Sequence, residues 1–216
     1  MLTPVGPLML LAASLITPAA ADNFSRDPGQ ARKILEAVAG DRARSGMGGF
    51  LIVAGLVALL PGLVLVVSRV TERGSRVATI GGTLAMVGVS AGAITNTFFF
   101  HSFALTDPAV HASPTALAAA FGAIGPVIAP FFISYAAGTI IGFTTLAVAV
   151  FRGKRAPWWA ALVLGLAGLA TMIVNAGTLS AVVVSLMLLV GLLGCGILRT
   201  GQATPLAREH VEEMSA

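Results

Sequence analysis

The stretch Ser45–Ser68, SGMGGFLIVAGLVALLPGLVLVVS, decides the fold of this chain. It holds 24 residues without a charge and is bounded by Arg44 and Arg69. An α-helix of about 20 apolar residues spans the hydrocarbon core of a bilayer, where each charged side chain costs roughly 2.5 kcal/mol or more. The stretch therefore predicts a membrane-spanning helix over about 46–68, kinked at Pro61.

The composition of the whole chain also indicates a membrane protein. Of its 216 residues 56% are hydrophobic and 10% are charged, whereas soluble domains carry about 25% charged residues. The mean hydropathy is +0.93. The net charge is +4, and the basic residues lie at the ends of apolar stretches, where anionic lipid head groups are found. These features favour the lipid bilayer as partner and argue against nucleic acid.

Further apolar stretches predict the rest of an all-α, polytopic transmembrane bundle. The bundle forms one unit over 1–200 and is followed by a polar cytoplasmic tail, 201–216. Counting the stretch above, the predicted spans are 2–20, 46–68, 77–100, 128–151, 157–174 and 179–198.

The first apolar stretch has two interpretations. It resembles a signal peptide because Pro18 and three alanines precede Asp22, as in a cleavage region, yet no Lys or Arg comes before it. We favour a retained helix, which gives six spans; cleavage would leave five.

Residues 22–44 are expected on the extracytoplasmic side as an amphipathic segment. They carry five basic and four acidic residues. With Asp27 as the cap, a helix is predicted to begin at Pro28 and to end at Gly40, on the membrane surface or over the mouth of the bundle. Its apolar face consists of Ala31, Ile34, Leu35 and Val38.

A second short interfacial helix is predicted between the third and fourth spans. Ser113 is its expected cap and Pro114 its first residue, and it is expected to continue to Phe121.

Basic and aromatic residues predict the interfaces and the orientation. Eight Lys and Arg residues lie on one side of the predicted bundle and five on the other. This asymmetry favours a C-terminus in the cytoplasm. Eleven arginines against two lysines, with much Ala, Gly and Val, indicate a GC-rich bacterial genome and hence a bacterial cytoplasmic membrane. The predicted interface anchors are Arg69, Arg73, Arg76, Arg152, Lys154, Arg155, Trp158 and Trp159.

Small residues four apart predict close helix packing. Gly88 with Gly92 and Gly138 with Gly142 allow two backbones to touch, either inside the bundle or between two copies of the chain. A homo-oligomer or a partner protein in the membrane is therefore a possible association.

The outer end of the third span carries the most suggestive polar group. His101, Asp107 and His111 are expected on one loop, and two imidazoles with a carboxylate are metal ligands. Their spacing matches no metal signature, and the simpler interpretation is that His101 marks the water boundary above Phe98–Phe100. A metal-dependent membrane enzyme at the outer face is one functional hypothesis.

Few polar side chains lie inside the predicted spans, and none is ionised. Asn96, Tyr135 and Asn175 are the ones most costly to bury or best placed to line a cavity. Asn96 and Asn175 each end one of two similar hairpins, so a small-solute permease built from two repeats is a second hypothesis.

No motif specifies a reaction, and no cofactor is predicted. We expect a non-enzymatic protein, either an accessory or scaffold protein or a binder of an apolar or amphiphilic small molecule among the helices. The charged segment before the second span, and the Arg-containing turn before Pro157-Trp158-Trp159, resemble those of a group of uncharacterised bacterial, chiefly actinobacterial, six-helix membrane proteins. The resemblance implies the architecture and no activity.

Overall fold

The structure is a computed structural model that describes residues 4–17, 28–70, 74–107, 113–153, 156–171 and 178–197. This part of the chain is 91% helical and has no strand, which confirms the predicted all-α class. Its helices are α1 (Val5–Ile16), α2 (Pro28–Gly40), α3 (Arg42–Arg69), α4 (Ser75–Thr97), α5 (Phe99–Leu105), α6 (Pro114–Ala123), α7 (Gly125–Arg152), α8 (Trp158–Ala170) and α9 (Thr178–Ile197).

Three helical stretches of the described residues are long and apolar enough to cross a membrane. They are Arg42–Arg69, Ser75–Leu105 and Gly125–Arg152. Val5–Ile16, Trp158–Ala170 and Ala181–Cys195 are apolar but shorter.

Six helices form a closed ring in the order α1, α3, α4, α7, α8, α9. Each packs against the next one, and α9 returns to α1. Successive ring helices run in opposite directions; on α4 and α7, for example, Gly81 lies against Leu146 and Gly88 against Thr139. The most extensive contact is between α4 and α7. Large side chains fill the ring, and those exposed by 1% or less include Leu59, Leu63, Phe143, Leu146, Leu164 and Leu192.

Glycine brings the backbones of α4 and α7 together. A Cβ added at Gly138 would lie 2.6 Å from the Cα of Gly88, and one at Gly142 would lie 2.2 Å from the nitrogen of Ala85. Both distances are too short for real contacts, so a side chain at either position would force the two helices apart. All four glycines singled out in the sequence therefore face this contact, Gly92 by making room for Tyr135.

The helices α2, α5 and α6 form a cap at the end of the ring where α4 ends and α3 and α7 begin. Ile34, Leu35 and Val38 of α2 are buried against Ala118 of α6 and pack with Phe103 of α5. α2 has the predicted bounds, and its apolar face contacts protein. α6 begins at Pro114 as predicted, with the Oγ of Ser113 accepting from the nitrogen of Ala116 at 3.2 Å.

One feature of the predicted loop is corrected by the structure. The third predicted span, 77–100, is followed by more helix than the sequence indicates. α4 ends at Thr97, and after a break at Phe98 the chain is helical again as α5, which continues to Leu105. His101 therefore lies on a helix and not on a loop. The physical reason is that Phe103 and Leu105 add apolar surface to the buried cluster of the cap.

The opposite end of the ring carries the predicted arginine anchors that the structure describes and is called the basic end, although Arg42 and Arg44 lie at the cap. Arg69 at the end of α3 is half-buried, while Arg76 and Arg152 are exposed. Trp158 and Trp159 begin α8 beside them and are 65% and 39% exposed. Arg73, Lys154 and Arg155 lie outside the described residues, as do His111 and Asn175.

Candidate functional site

A cavity of about 160 Å³ lies among the ring helices, in the half of the ring nearer the cap. Side chains of α1, α3, α4, α7 and α9 line it, together with Thr171, which follows α8. Most of the wall is apolar, and Leu59, Val89 and Phe143 are each only 1% exposed. Its polar residues are Ser14, Thr17, Thr95, Asn96, Tyr135, Thr139, Thr171 and Ser185.

Helical spacing explains why these residues converge. Side chains three or four residues apart share one face of a helix, so a lining helix contributes a short series with that spacing. The three clearest series are Leu10 and Ser14 on α1 with Thr17 just after it; Phe132, Tyr135, Thr139 and Phe143 on α7; and Ala181, Ser185 and Leu188 on α9.

Most polar groups of the wall already donate to their own helix. The hydroxyls of Ser14, Thr17, Thr95, Thr139 and Ser185 each donate to the carbonyl oxygen four residues earlier, over 2.7 to 2.9 Å. Thr171 donates to the carbonyl of Gly168, and the Asn96 Nδ2 donates to that of Gly92 at 2.8 Å. Because a carbonyl oxygen can only accept, these hydroxyl protons are committed, while the hydroxyl oxygens keep lone pairs that can accept.

Tyr135 is the exception among the polar lining residues. Its hydroxyl makes no hydrogen bond within the part of the chain that the structure describes. It is also the only tyrosine of the chain. A phenol both donates and accepts, so Tyr135 is the one lining hydroxyl whose proton is uncommitted.

Glycine places the ring of Tyr135 at the wall. A Cβ added at Gly92 would lie 2.5 Å from the Cδ2 of Tyr135 and 2.8 Å from its Cε2. Only hydrogen at position 92 leaves room for the aromatic ring against α4. The small residue on α4 and the tyrosine on α7 therefore form one structural unit of the cavity.

Two of the residues proposed as metal ligands, His101 and Asp107, lie in the cap, and neither lines the cavity. His101 on α5 is half-buried, and Asp107 is exposed, with its Oδ2 3.8 Å from the Nη2 of Arg42. Among the described residues, no group of three His, Cys, Asp or Glu side chains is placed to hold a metal ion. Because His111 is not described, the three-residue site of the sequence hypothesis stays a prediction.

Sequence reasoning placed Tyr135 as a possible cavity residue and overlooked most of its companions. Thr139, Thr171 and Ser185 are not singled out by the sequence, and their hydroxyls each bond a carbonyl of the preceding helical turn. A hydroxyl can bond its own helix and still line a cavity. The signal was a polar residue repeated at helical spacing among apolar ones, as at Tyr135 and Thr139.

Comparisons with family models, with curated proteins and with solved structures find no match for this chain. The resemblance to actinobacterial membrane proteins accordingly stays an expectation.

Proposed function

We propose that this chain is a six-span protein of a bacterial cytoplasmic membrane that binds a small, mainly apolar molecule inside its ring of helices. The observation that carries the proposal is the cavity, which is apolar for most of its wall and has a few convergent polar groups. That combination is typical of small-molecule sites in proteins.

The outward faces of the shorter ring helices support six spans. Leu8 and Leu15 of α1 are 47% and 62% exposed, and Leu162 and Leu169 of α8 are 52% and 49% exposed. Exposed apolar surface on every side of a ring is costly in water and favourable in lipid. α1, α8 and α9 each pack between neighbours in the same ring, which argues that they share the solvent of the three long helices.

The basic end is proposed to face the cytoplasm, with both termini on that side. The charge asymmetry of the sequence supports this orientation. Fusions of a fluorescent protein and of a periplasmic phosphatase after residue 216 test it. Cytoplasmic fluorescence without phosphatase activity is expected, and the reverse pattern would contradict it.

Native mass spectrometry of the protein released from lipid nanodiscs tests the binding function. A bound small molecule is expected on the wild-type protein and absent from Ala181→Phe, which places an aromatic ring at a lining position. Val183→Phe is the matched control, since Val183 lies on the same helix and is 40% exposed. A wild-type protein that carries no more bound mass than Ala181→Phe would contradict the proposal.

A further inference from the structure

We infer that the ligand of the cavity is a neutral hydroxyl compound about as large as a phenol, held by donation to the wall and by acceptance from Tyr135. This inference rests on the proposed binding function and names the chemical class of the ligand. It follows from three properties of the cavity, which are its size, its lack of charge and the direction of its hydrogen bonds.

Size limits the ligand to a small molecule. The cavity measures about 160 Å³. An engineered apolar cavity of about 150 Å³ in another protein binds benzene, so a single aromatic ring with one or two small substituents matches this volume.

Charge limits the ligand to a neutral molecule. Among the described residues that line the cavity, none is Asp, Glu, Lys or Arg. An ammonium or carboxylate group would lose its hydration without gaining an opposite charge, which is costly in an apolar wall. A neutral polar group loses much less hydration free energy when it enters the same cavity.

Hydrogen-bond direction decides which neutral group matches. The wall hydroxyls such as Ser14, Thr139 and Ser185 have given their protons to helix carbonyls and can only accept from a ligand. Among the described lining residues, the Tyr135 hydroxyl keeps its proton, and the Asn96 amide keeps one N–H besides the one that bonds Gly92. A ligand hydroxyl satisfies both sides, because it donates to one wall oxygen and accepts from Tyr135. An ether can accept a hydrogen bond from the wall but cannot donate one to the wall oxygens, and a hydrocarbon can do neither.

Three probes of similar size separate these cases: p-cresol, its isomer anisole, and toluene. Because Tyr135 is the only tyrosine, 3-fluorotyrosine labelling gives a single ¹⁹F signal at the cavity wall, and titration of that signal in nanodiscs yields each dissociation constant. The expected order of affinity is p-cresol, anisole, toluene. From p-cresol to anisole, and again from anisole to toluene, one neutral hydrogen bond is lost, which weakens binding about fivefold.

Variants separate the contribution of Tyr135 from the fit of the ring. Binding to Tyr135→Phe is measured by calorimetry, because this variant lacks the labelled tyrosine. It is expected to bind p-cresol about fivefold more weakly than the wild type and toluene with the same affinity. Val183→Phe is expected to bind all three probes like the wild type. Equal affinities of the three probes for the wild type, or unchanged p-cresol binding by Tyr135→Phe, would overturn the inference and leave the binding function intact. Probes that bind the wild type no better than Ala181→Phe would overturn the binding function itself.

Discussion

At the scale of single residues, Arg42 joins the first turn of α3 to the last turn of α5. Its guanidinium donates to the carbonyls of Thr106 and Phe103, the latter at 3.2 Å, and lies 5.7 Å from the centre of the Phe103 ring. Asp107 adds a partly exposed ion pair. The carbonyls at the end of a helix lack the N–H groups of a following turn, so the arginine caps the end of α5 and holds it against the ring.

Arg42→Ala is expected to loosen α5 without unfolding the ring. Charge-assisted bonds at a partly exposed site are worth about 1–2 kcal/mol together, so amide hydrogen exchange in α5 should accelerate roughly tenfold. Exchange measured by mass spectrometry on peptides covering α5 checks this. Arg32→Ala is the matched control, because its 2.7 Å pair with Glu36 is more than 60% exposed on both sides. Equal acceleration by both variants would contradict the role given to Arg42.

At the scale of elements, the contact between α4 and α7 follows a repeat of small residues. Gly74, Ala78, Gly81, Ala85, Gly88 and Gly92 alternate spacings of four and three along α4. Added Cβ atoms at Gly74, Gly81 and Gly88 would approach the backbone of α7 within 3.2, 2.6 and 2.5 Å. A seven-residue repeat keeps one face toward its partner over the whole helix, which two isolated glycine pairs cannot do.

Gly142→Ala is expected to destabilise the protein by about 1–3 kcal/mol, since its Cβ would meet the backbone of Ala85 at 2.2 Å and neither helix can yield locally. Reversible unfolding in mixed detergent micelles measures the change. Gly122→Ala on α6 is the control, because a Cβ there meets nothing within 4 Å and alanine favours helix. Two variants of equal stability would show that the α4–α7 backbones are not held this close.

The sequence predicts the helices more completely than it predicts which helices pack against each other. Pro28, Gly40 and Pro114 predicted helix ends that the structure has, because caps and breakers are local features. The cavity could not be located, because which helices are neighbours depends on contacts between residues far apart in sequence. Hydropathy alone does not show whether α9 packs against α1 or against α4.

At the scale of the whole molecule, α1 closes the ring between α3 and α9. Ala13 is fully buried, and a Cβ at Gly6 would lie 2.8 Å from the nitrogen of Leu59. The Nε of Arg44 donates to the carbonyl of Ile16 at 2.6 Å and so caps the end of α1. Leu10, Ser14 and Thr17 form part of the cavity wall. A cleaved signal peptide would leave all these contacts vacant.

The first apolar stretch is therefore expected to remain in the mature protein, as the retained helix that the sequence favours. Intact mass spectrometry of the protein purified from membranes should give a mass that includes residues 5–16. A mass lacking residues 1–21 would contradict this and would leave five helices around an open groove. A variant that lacks residues 1–17 should enter the membrane yet fail to bind p-cresol. The deletion removes three lining residues and one side of the ring together.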